Sequence, residues 1–599
     1  MNRAGHCWRC EVVCTQKCSR CRVAFYCSKA CQIRDKWRHQ PDCDAAALKM
    51  RCFACNNEQE GMMTCTNCLK AHYCGRECQR EDWRRHKTFC EMTVDQTLAL
   101  VHKIKEVLQI KNSFKGLFAT CYWGNVPAVD LLNLSMNEGE EYSNPLALLL
   151  CGVGDPRNVL LSIASLPDVY TQQVSFVLND ICPCTLARIV LLLYMLYKGG
   201  DNIFHAMIRI WYSVCISEED FVLLTSSLRD LATTNELSSL TKGVMEISAE
   251  QMEQLRSVWT AWLRLSEREG PWVSNERKMV FSADRPEVQI GLPRYLDTIP
   301  KPHRNSAKEY FDTGIFPSTA NPTEELTRQN PTLTGRVLSP LTECADFHYS
   351  MTSDLHPFTG WDYKAIKKIC YYDSLPEMYT MYVSQILQKS LENMNAGRVK
   401  FRFILCDALE IEAHLPAIIT YDRITTSNLW DYLPISVLLT KMKRFLNRSN
   451  PHAVLLTETI NMPNVLPEIV EKLPNSCIDL LHERAVKDTQ DPEMVFSSGN
   501  STVIEYLNLS DEFVMYLRAS LLVSCTEKEL AAFDRKKKIP SVKSLVRSLG
   551  LYLRDFIRNE NTVFPFKWAV NCRRVNMMSG YIRTLEWKLI STLDKAAAK

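Results

Sequence analysis

The chain has 599 residues, 46% hydrophobic and 23% charged, with a formal net charge of +3. That length exceeds one hydrophobic core and predicts about three to five structural units. The composition excludes a chain dominated by disorder, and the near-balanced charge excludes any argument for nucleic acid or an anionic membrane as principal partner.

The opening MNRAGHCWRC has no apolar stretch of signal-peptide length. The most apolar runs, 146–152 and 189–197, are too short to span a bilayer. The expectation is a cytoplasmic protein, with the nucleus as a second compartment and no membrane partner. Fifteen of the 26 cysteines precede residue 91. In a reducing compartment, dense cysteine with spaced histidine points to metal rather than to disulfides.

Those cysteines are written twice in one pattern. The first copy runs Cys7, Cys10, Cys18, Cys21, Cys27, Cys31, His39, Cys43; the second runs Cys52, Cys55, Cys65, Cys68, Cys74, Cys78, His86, Cys90. Only the loop between the first two pairs changes length. Cys-x2-Cys lets a tight turn aim two thiolates at one tetrahedral zinc. Cys-x3-Cys and His-x3-Cys place both ligands on one helical face. Each copy therefore supplies two closed four-coordinate sites, four zinc ions per chain. Closed sites leave no position for water, which makes them structural rather than catalytic. Cys14 falls outside the repeat. Spacing alone leaves sequential pairing of the ligands open.

Both copies resemble MYND-type zinc fingers, over 7–43 and 52–90. The resemblance implies interleaved sites: Cys7, Cys10, Cys27 and Cys31 on one zinc, Cys18, Cys21, His39 and Cys43 on the next. In the second copy the sets become Cys52, Cys55, Cys74, Cys78 and Cys65, Cys68, His86, Cys90. It also implies capture of short proline-rich peptides by a Gln after the sixth Cys and a Trp four residues on. The second copy has Gln79 and Trp83; the first has Gln32, but its Trp37 stands one residue late, turned by about 100° on a helix. The rival reading makes these tryptophans packing elements of small cores. The first ninety residues hold 17 Lys and Arg against 9 Asp and Glu, an excess mostly cancelled once ligand thiolates and zinc are counted. Protein binding is therefore favoured over specific nucleic-acid binding.

After the fingers, apolar residues at helical spacing predict an amphipathic helix over 91–118, followed by the turn-rich 122–145. PLALLLCGVGDPRNVLLSIASL then reads as strand, glycine turn and helix, with Asp155 as N-cap and Pro156 in the first turn. VSFVLND gives a second strand ending in Asp180, and another helix follows. Strand–glycine turn–helix–strand–acid resembles half of a nucleotide- or S-adenosylmethionine-binding Rossmann-like unit. The sheet resumes with VKFRFILCDALEI, AIITYDRITTSNLWDYLP and NPHAVLLTETI, and FPFKWAVNCRRVNMM (564–578) alternates like an edge strand. The stretch between the halves, 199–395, reads as mainly helical, with 310–335 a loop that reaches over the glycine turn.

The expected fold class is α/β: two N-terminal fingers (1–46, 47–94), then a Rossmann-like sheet in two halves (95–198 and 396–599, the latter with the C-terminal region) interrupted by the helical insertion 199–395. The body resembles a class I methyltransferase, and an uncharacterised domain found in MYND proteins and at the start of an axonemal dynein assembly factor. The resemblance rests on YWGNVPAVDLLNL, GVGDPRNVLLSIA, YDRITTSNLWDYL and NPHAVLLTET. It implies S-adenosylmethionine as cofactor, held by Gly152, Gly154, Asp180 and Asp407, and a part in dynein assembly. Against turnover, SNLWDY replaces the Asn/Asp-Pro-Pro-aromatic signature of amino-methylating enzymes, and no catalytic residue is identified. No P-loop, G-x-S-x-G or H-E-x-x-H motif occurs. His205, His356 and His452 stand alone. Two functions follow: a zinc-dependent adaptor or assembly factor with a catalytically degenerate body, or a methyltransferase whose fingers recruit a protein substrate.

Overall fold

The computed structural model describes residues 5–7, 12–20, 24–33, 36, 50–59, 62–113, 122–282, 301–316, 325–338, 345–466, 510–556, 561–564 and 583–590, apart from 354, 371, 417, 418 and 461, with a few single residues between 283 and 300.

The body is built on an eight-stranded, mostly parallel sheet. Its strands are β1 (Leu146–Cys151), β2 (Val174–Asp180), β3 (Met245–Glu246), β4 (Val399–Leu405), β5 (Arg423–Thr425), β6 (Val454–Thr459), β7 (Leu551–Leu553) and β8 (Arg583–Leu589). They lie in the order β3-β4-β2-β1-β5-β6-β8-β7. From β3 to β6 all neighbours are parallel; β8 runs antiparallel to both β6 and β7.

The continuous apolar run of β1 is explained by burial of both faces. Leu146, Leu148 and Leu150 enter one core, while Leu149 and Cys151 enter the other. The first core gathers helices α3 (Arg157–Ala164), α4 (Pro183–Lys198) and α5 (Leu375–Asn395) with the helices of the inserted stretch. The second gathers α2 (Trp83–Ser113), α6 (Ile435–Met442) and α7 (Ser510–Leu522). Helices thus cover both faces of a parallel sheet, as parallel strands require.

Two buried ion pairs tie the sheet to its flanks. Arg423 of β5 meets Glu138 at 2.6 Å, both side chains essentially inaccessible. Beside it, the Asp422 carboxylate accepts the Ala147 amide at 2.9 Å and the Asn447 and Asn450 side chains at 2.8 Å. On β8, Glu586 pairs with Arg554 and accepts the amides of Thr562, Val563 and Phe564. The YDR stretch and the asparagine that opens NPHAVLLTETI thereby acquire a structural reason.

Three expectations change. The helix expected over 91–118 begins eight residues earlier, at Trp83, so it carries the last two finger ligands and then packs on the sheet through Val94, Leu98, Val101, Ile104 and Leu108. The inserted stretch is largely helical but gives β3 to the sheet, and Thr334–Leu338 pairs with Ala345–Tyr349 as a hairpin. The edge strand expected at 564–578 lies outside the described residues but for Phe564; the antiparallel strand in the sheet is β8.

Candidate metal centres and the crevice of the sheet

In the second finger, each Cys-x2-Cys pair sits in a turn closed by the backbone. The Cys52 carbonyl accepts the Asn56 amide and the Cys65 carbonyl accepts that of Leu69, both at 2.8 Å. Asn56 and Leu69 take left-handed backbone angles, φ 60° and 61°. The remaining ligands come from helices. Cys74 precedes α1 (Arg76–Glu81), Cys78 lies on it, and His86 and Cys90 lie one turn apart on α2. Asp82 separates the two helices; its carboxylate accepts Tyr73 Oη at 2.8 Å and pairs with Arg85 at 2.7 Å.

These elements bring the eight side chains into two groups, Cys52–Cys55–Cys74–Cys78 and Cys65–Cys68–His86–Cys90, with all ligand atoms of each group within 4.8 Å of one another. The arrangement is interleaved, not sequential. Sγ–Sγ separations are 3.5 Å for Cys55–Cys74 and 3.9 Å for Cys78–Cys55 and Cys65–Cys90; Cys68 Sγ lies 3.6 Å from His86 Nε2. A tetrahedron with Zn–S of about 2.3 Å and Zn–N of about 2.0 Å has edges of roughly 3.5–3.8 Å. The donor sets fit zinc in size and in chemistry. In the first finger, Cys7, Cys27 and Cys31 form a third group, with Cys27 and Cys31 sulfurs 3.5 Å apart. Cys18 is buried nearby in sequence, its amide bonded to the Ala24 carbonyl. Cys10, Cys21, His39, Cys43 and Trp37 lie outside the described residues.

Gln79 is half-buried on α1. Trp83 opens α2 with 46% of its surface exposed, its ring edge-on to that of His86 at 6.1 Å. Phe53 is exposed to a similar degree. Trp83 thus touches a metal ligand while presenting a broad apolar surface, so packing and binding are compatible uses of it.

The joint between finger and body escaped sequence reading. Arg518 of α7, a buried cation, donates to the carbonyls of Thr66 and Asn67 in the second zinc turn, and to those of Ile539 and Pro540. The Asn67 side chain donates to Cys90 Sγ at 3.2 Å and to the Lys537 carbonyl at 2.8 Å, and accepts the Ile539 amide at 3.0 Å. Lys537 reaches Asp95, and Lys105 reaches Glu527. The only sequence signal was an arginine inside the otherwise apolar face of a C-terminal helix.

At the other end of the body, Gly152, Gly154, Asp180 and Asp407 converge at the carboxyl ends of β1, β2 and β4. Gly152 and Gly154 take φ of +67° and +64°, as a tight turn after a strand requires. Asp180 spends one oxygen on the Gly154 amide (3.1 Å) and the other on the Cys182 amide (2.9 Å); burial pushes its carboxyl up to about 6. Its carbonyl accepts the Cys406 amide, and Asp407 caps the following turn through Leu409. The start of α3 is covered by the chain itself. Asp155 pairs with Arg157 at 2.5 Å and accepts the Gly124 amide; Arg157 donates to Val126; Thr359 donates to the Gly124 carbonyl. A Cβ on Gly124 would overlap the Arg157 guanidinium, which explains the glycine of YWGNVP. The Asp180 carboxylate, expected to help hold the cofactor, already accepts the amides of Gly154 and Cys182.

Other sequence candidates are structural. Asp431 of SNLWDY accepts Thr459 Oγ1 and the Ile460 amide, holding the end of β6. Burial pushes the His356 imidazole down to about 3, leaving it neutral. No helix among the described residues is long and apolar enough to cross a membrane.

Comparison with known proteins places a MYND finger at residues 52–90 and a domain of unknown function, DUF4470, at residues 122–216. No curated protein and no solved structure matches the chain. The DUF4470 match begins at Tyr122, in the segment that covers the start of α3, and runs through β1, α3, β2 and α4. The chain therefore carries a zinc-binding MYND finger, a type of module that mediates protein–protein interaction, ahead of a DUF4470 domain.

Proposed function

We propose that the protein is a zinc-dependent interaction adaptor: its fingers hold four zinc ions and capture proline-rich partner peptides, and its body serves as scaffold. The observation that carries this reading is the second finger, where a complete pair of tetrahedral donor sets supports Gln79 and a half-exposed Trp83 one turn apart. Elemental analysis of protein purified without chelator should find close to four zinc ions per chain, and two would limit the reading to the second finger. Trp83→Ala should abolish capture of a proline-rich peptide while zinc content stays constant. Retained capture rejects the groove at Gln79 and Trp83.

The body is, in this reading, a methyltransferase-like scaffold that performs no methyl transfer. In its support, the order β4-β2-β1-β5-β6 follows the chain as 3-2-1-4-5, the order of doubly wound nucleotide-binding sheets. Against turnover stand the engaged Asp180 and the covered start of α3. Fold alone carries no chemistry. The rival, an S-adenosylmethionine-dependent methyltransferase, draws on the convergence of Gly152, Gly154, Asp180 and Asp407 at a crevice where such sheets bind ligands. Calorimetry separates the two. The scaffold gives no heat with S-adenosylmethionine; the enzyme binds it at micromolar concentration and loses binding in Gly154→Arg and Asp180→Ala. Reading the dense N-terminal cysteines as zinc ligands rather than disulfides suits a reducing, cytoplasmic setting, and a part in dynein assembly is the client role that the family resemblance brings to the scaffold.

A further inference from the structure

The two donor sets of the second finger are alike in geometry and unlike in surroundings. Cys65, Cys68, His86 and Cys90 are all buried; in the other set only Cys52 is, with Cys74 and Cys78 half-buried and Cys55 exposed. The body closes over the buried set. Arg518 donates to the carbonyls of Thr66 and Asn67, between Cys65 and Cys68. The Asn67 side chain that donates to Cys90 Sγ is itself held by Lys537 and Ile539. At the outer set the corresponding cation is Arg85, on the Phe53 carbonyl, with 71% of its side chain exposed. Partners that hold metal ligands in place are worth roughly 10–100-fold in affinity, and the buried set has the firmer ones.

Oxidation of a cysteine follows its thiolate character and its exposure. Metal ligands are thiolates in both sets, so exposure decides between them. Cys55 is the sulfur that an oxidant reaches first, and Cys74 Sγ at 3.5 Å and Cys78 Sγ at 3.9 Å stand beside it as resolving thiolates. Helix α1 hangs on this set. It has six residues, no side-chain cap at Gly75 and no buried side chain. Cys78, on the metal, and the buried Asp82 beyond its end hold it in place. Gln79 is the next residue after Cys78, and Trp83 lies one turn on.

We propose that the Cys52–Cys55–Cys74–Cys78 site is an oxidation switch: a peroxide empties it and frees α1, while the buried site keeps the finger docked on the body. The Cys55 thiolate attacks the peroxide; an S–O bond forms as the O–O bond breaks and hydroxide leaves. The Cys74 thiolate then attacks that sulfur, forming the S–S bond and expelling the second oxygen as hydroxide. Two electrons pass from the two sulfurs to the peroxide, and solvent supplies two protons to give two waters. Left with two thiolates, the site lets its zinc go. Control of peptide capture through Gln79 rests on the adaptor reading; the order in which the two sites oxidise does not.

The test adds hydrogen peroxide to the full zinc-loaded chain and maps cysteine oxidation by differential alkylation and mass spectrometry. Cys55 and Cys74 should oxidise at least about tenfold faster than Cys65, Cys68 and Cys90. Amide exchange over 76–81 should rise in step with that oxidation while α2 beyond Cys90 keeps its protection, and dithiothreitol with zinc should reverse both changes. A fluorescein-labelled proline-rich peptide should be released at the same peroxide dose. Equal rates for the two sets, or oxidation that leaves exchange over 76–81 unaltered, overturns the switch. Capture that outlasts Cys55 oxidation overturns its control of the groove. A reduced protein that captures no such peptide counts against the groove alone, because the oxidation order is read without peptide.

Discussion

The second finger and the sheet hold their shape by different means. Around the finger, four of the seven buried residues of the local core are the ligands Cys52, Cys65, Cys68 and Cys90, with only Met62, Ala71 and Tyr73 to exclude water. The sheet is buried on both faces by two large apolar cores. So small a cluster cannot offset the entropy of ordering some forty residues; the metal must. The body, by contrast, is held by apolar burial, with buried ion pairs such as Arg423–Glu138 and Arg209–Asp220 set into it. One molecule thus contains a region whose order is conditional on zinc and another whose order is not, joined by Arg518.

The largest effect expected is on the conditional half. A structural zinc contributes roughly 10–16 kcal/mol of apparent binding free energy in finger peptides. Chelation should therefore erase amide protection across 52–90 while protection in β1 and β2 persists in the same hydrogen-exchange experiment. If both regions lose protection together, the contrast collapses. Next comes the unconditional half. Glu586→Gln leaves Arg554 buried without its anion, a loss of about 3–5 kcal/mol, read as a lower denaturant midpoint at constant zinc content. An unchanged midpoint would remove the ion pair from the account of the body. The smallest effect belongs to the joint. Arg518→Met strips charged donors from the Thr66, Asn67, Ile539 and Pro540 carbonyls, at a cost of about 1.5–3 kcal/mol. Faster exchange in the finger with zinc still bound is the expected sign; unaltered exchange would mean that finger and body are ordered independently.

What the sequence made legible was whatever is encoded locally. The ligand spacing is a property of turns and single helical repeats. Strand β1 declares itself by the unbroken apolar run that burial on both faces demands, β2 and β6 by shorter apolar runs, and β4 by the alternation VKFRF that precedes its buried end. The rest depends on distance along the chain. Strand β8 carries the alternation RTLEWKL, too short to be told from a loop until β6 lies beside it. Strand β3 has two residues and owes its existence to the β4 edge. Asp180 was placed correctly at the end of β2, but only coordinates reveal that its oxygens hold the amides of Gly154 and Cys182. The early start of α2 was half legible: His86 and Cys90 were placed on one helical face, but their continuity with the helix expected over 91–118 was not read.

Helix α2 runs 31 residues, about 46 Å, out of the finger and onto α7, and this has a consequence for how the chain is born. Asn67 and Arg518 stand 451 positions apart. At translation speeds of about 5–20 residues per second, the apolar stripe of α2 emerges from the ribosome roughly 20–90 s before the segment that will cover it. Early capture of zinc would let the nascent finger keep its form through that wait, while the stripe beyond it stays open to whatever attends the growing polypeptide.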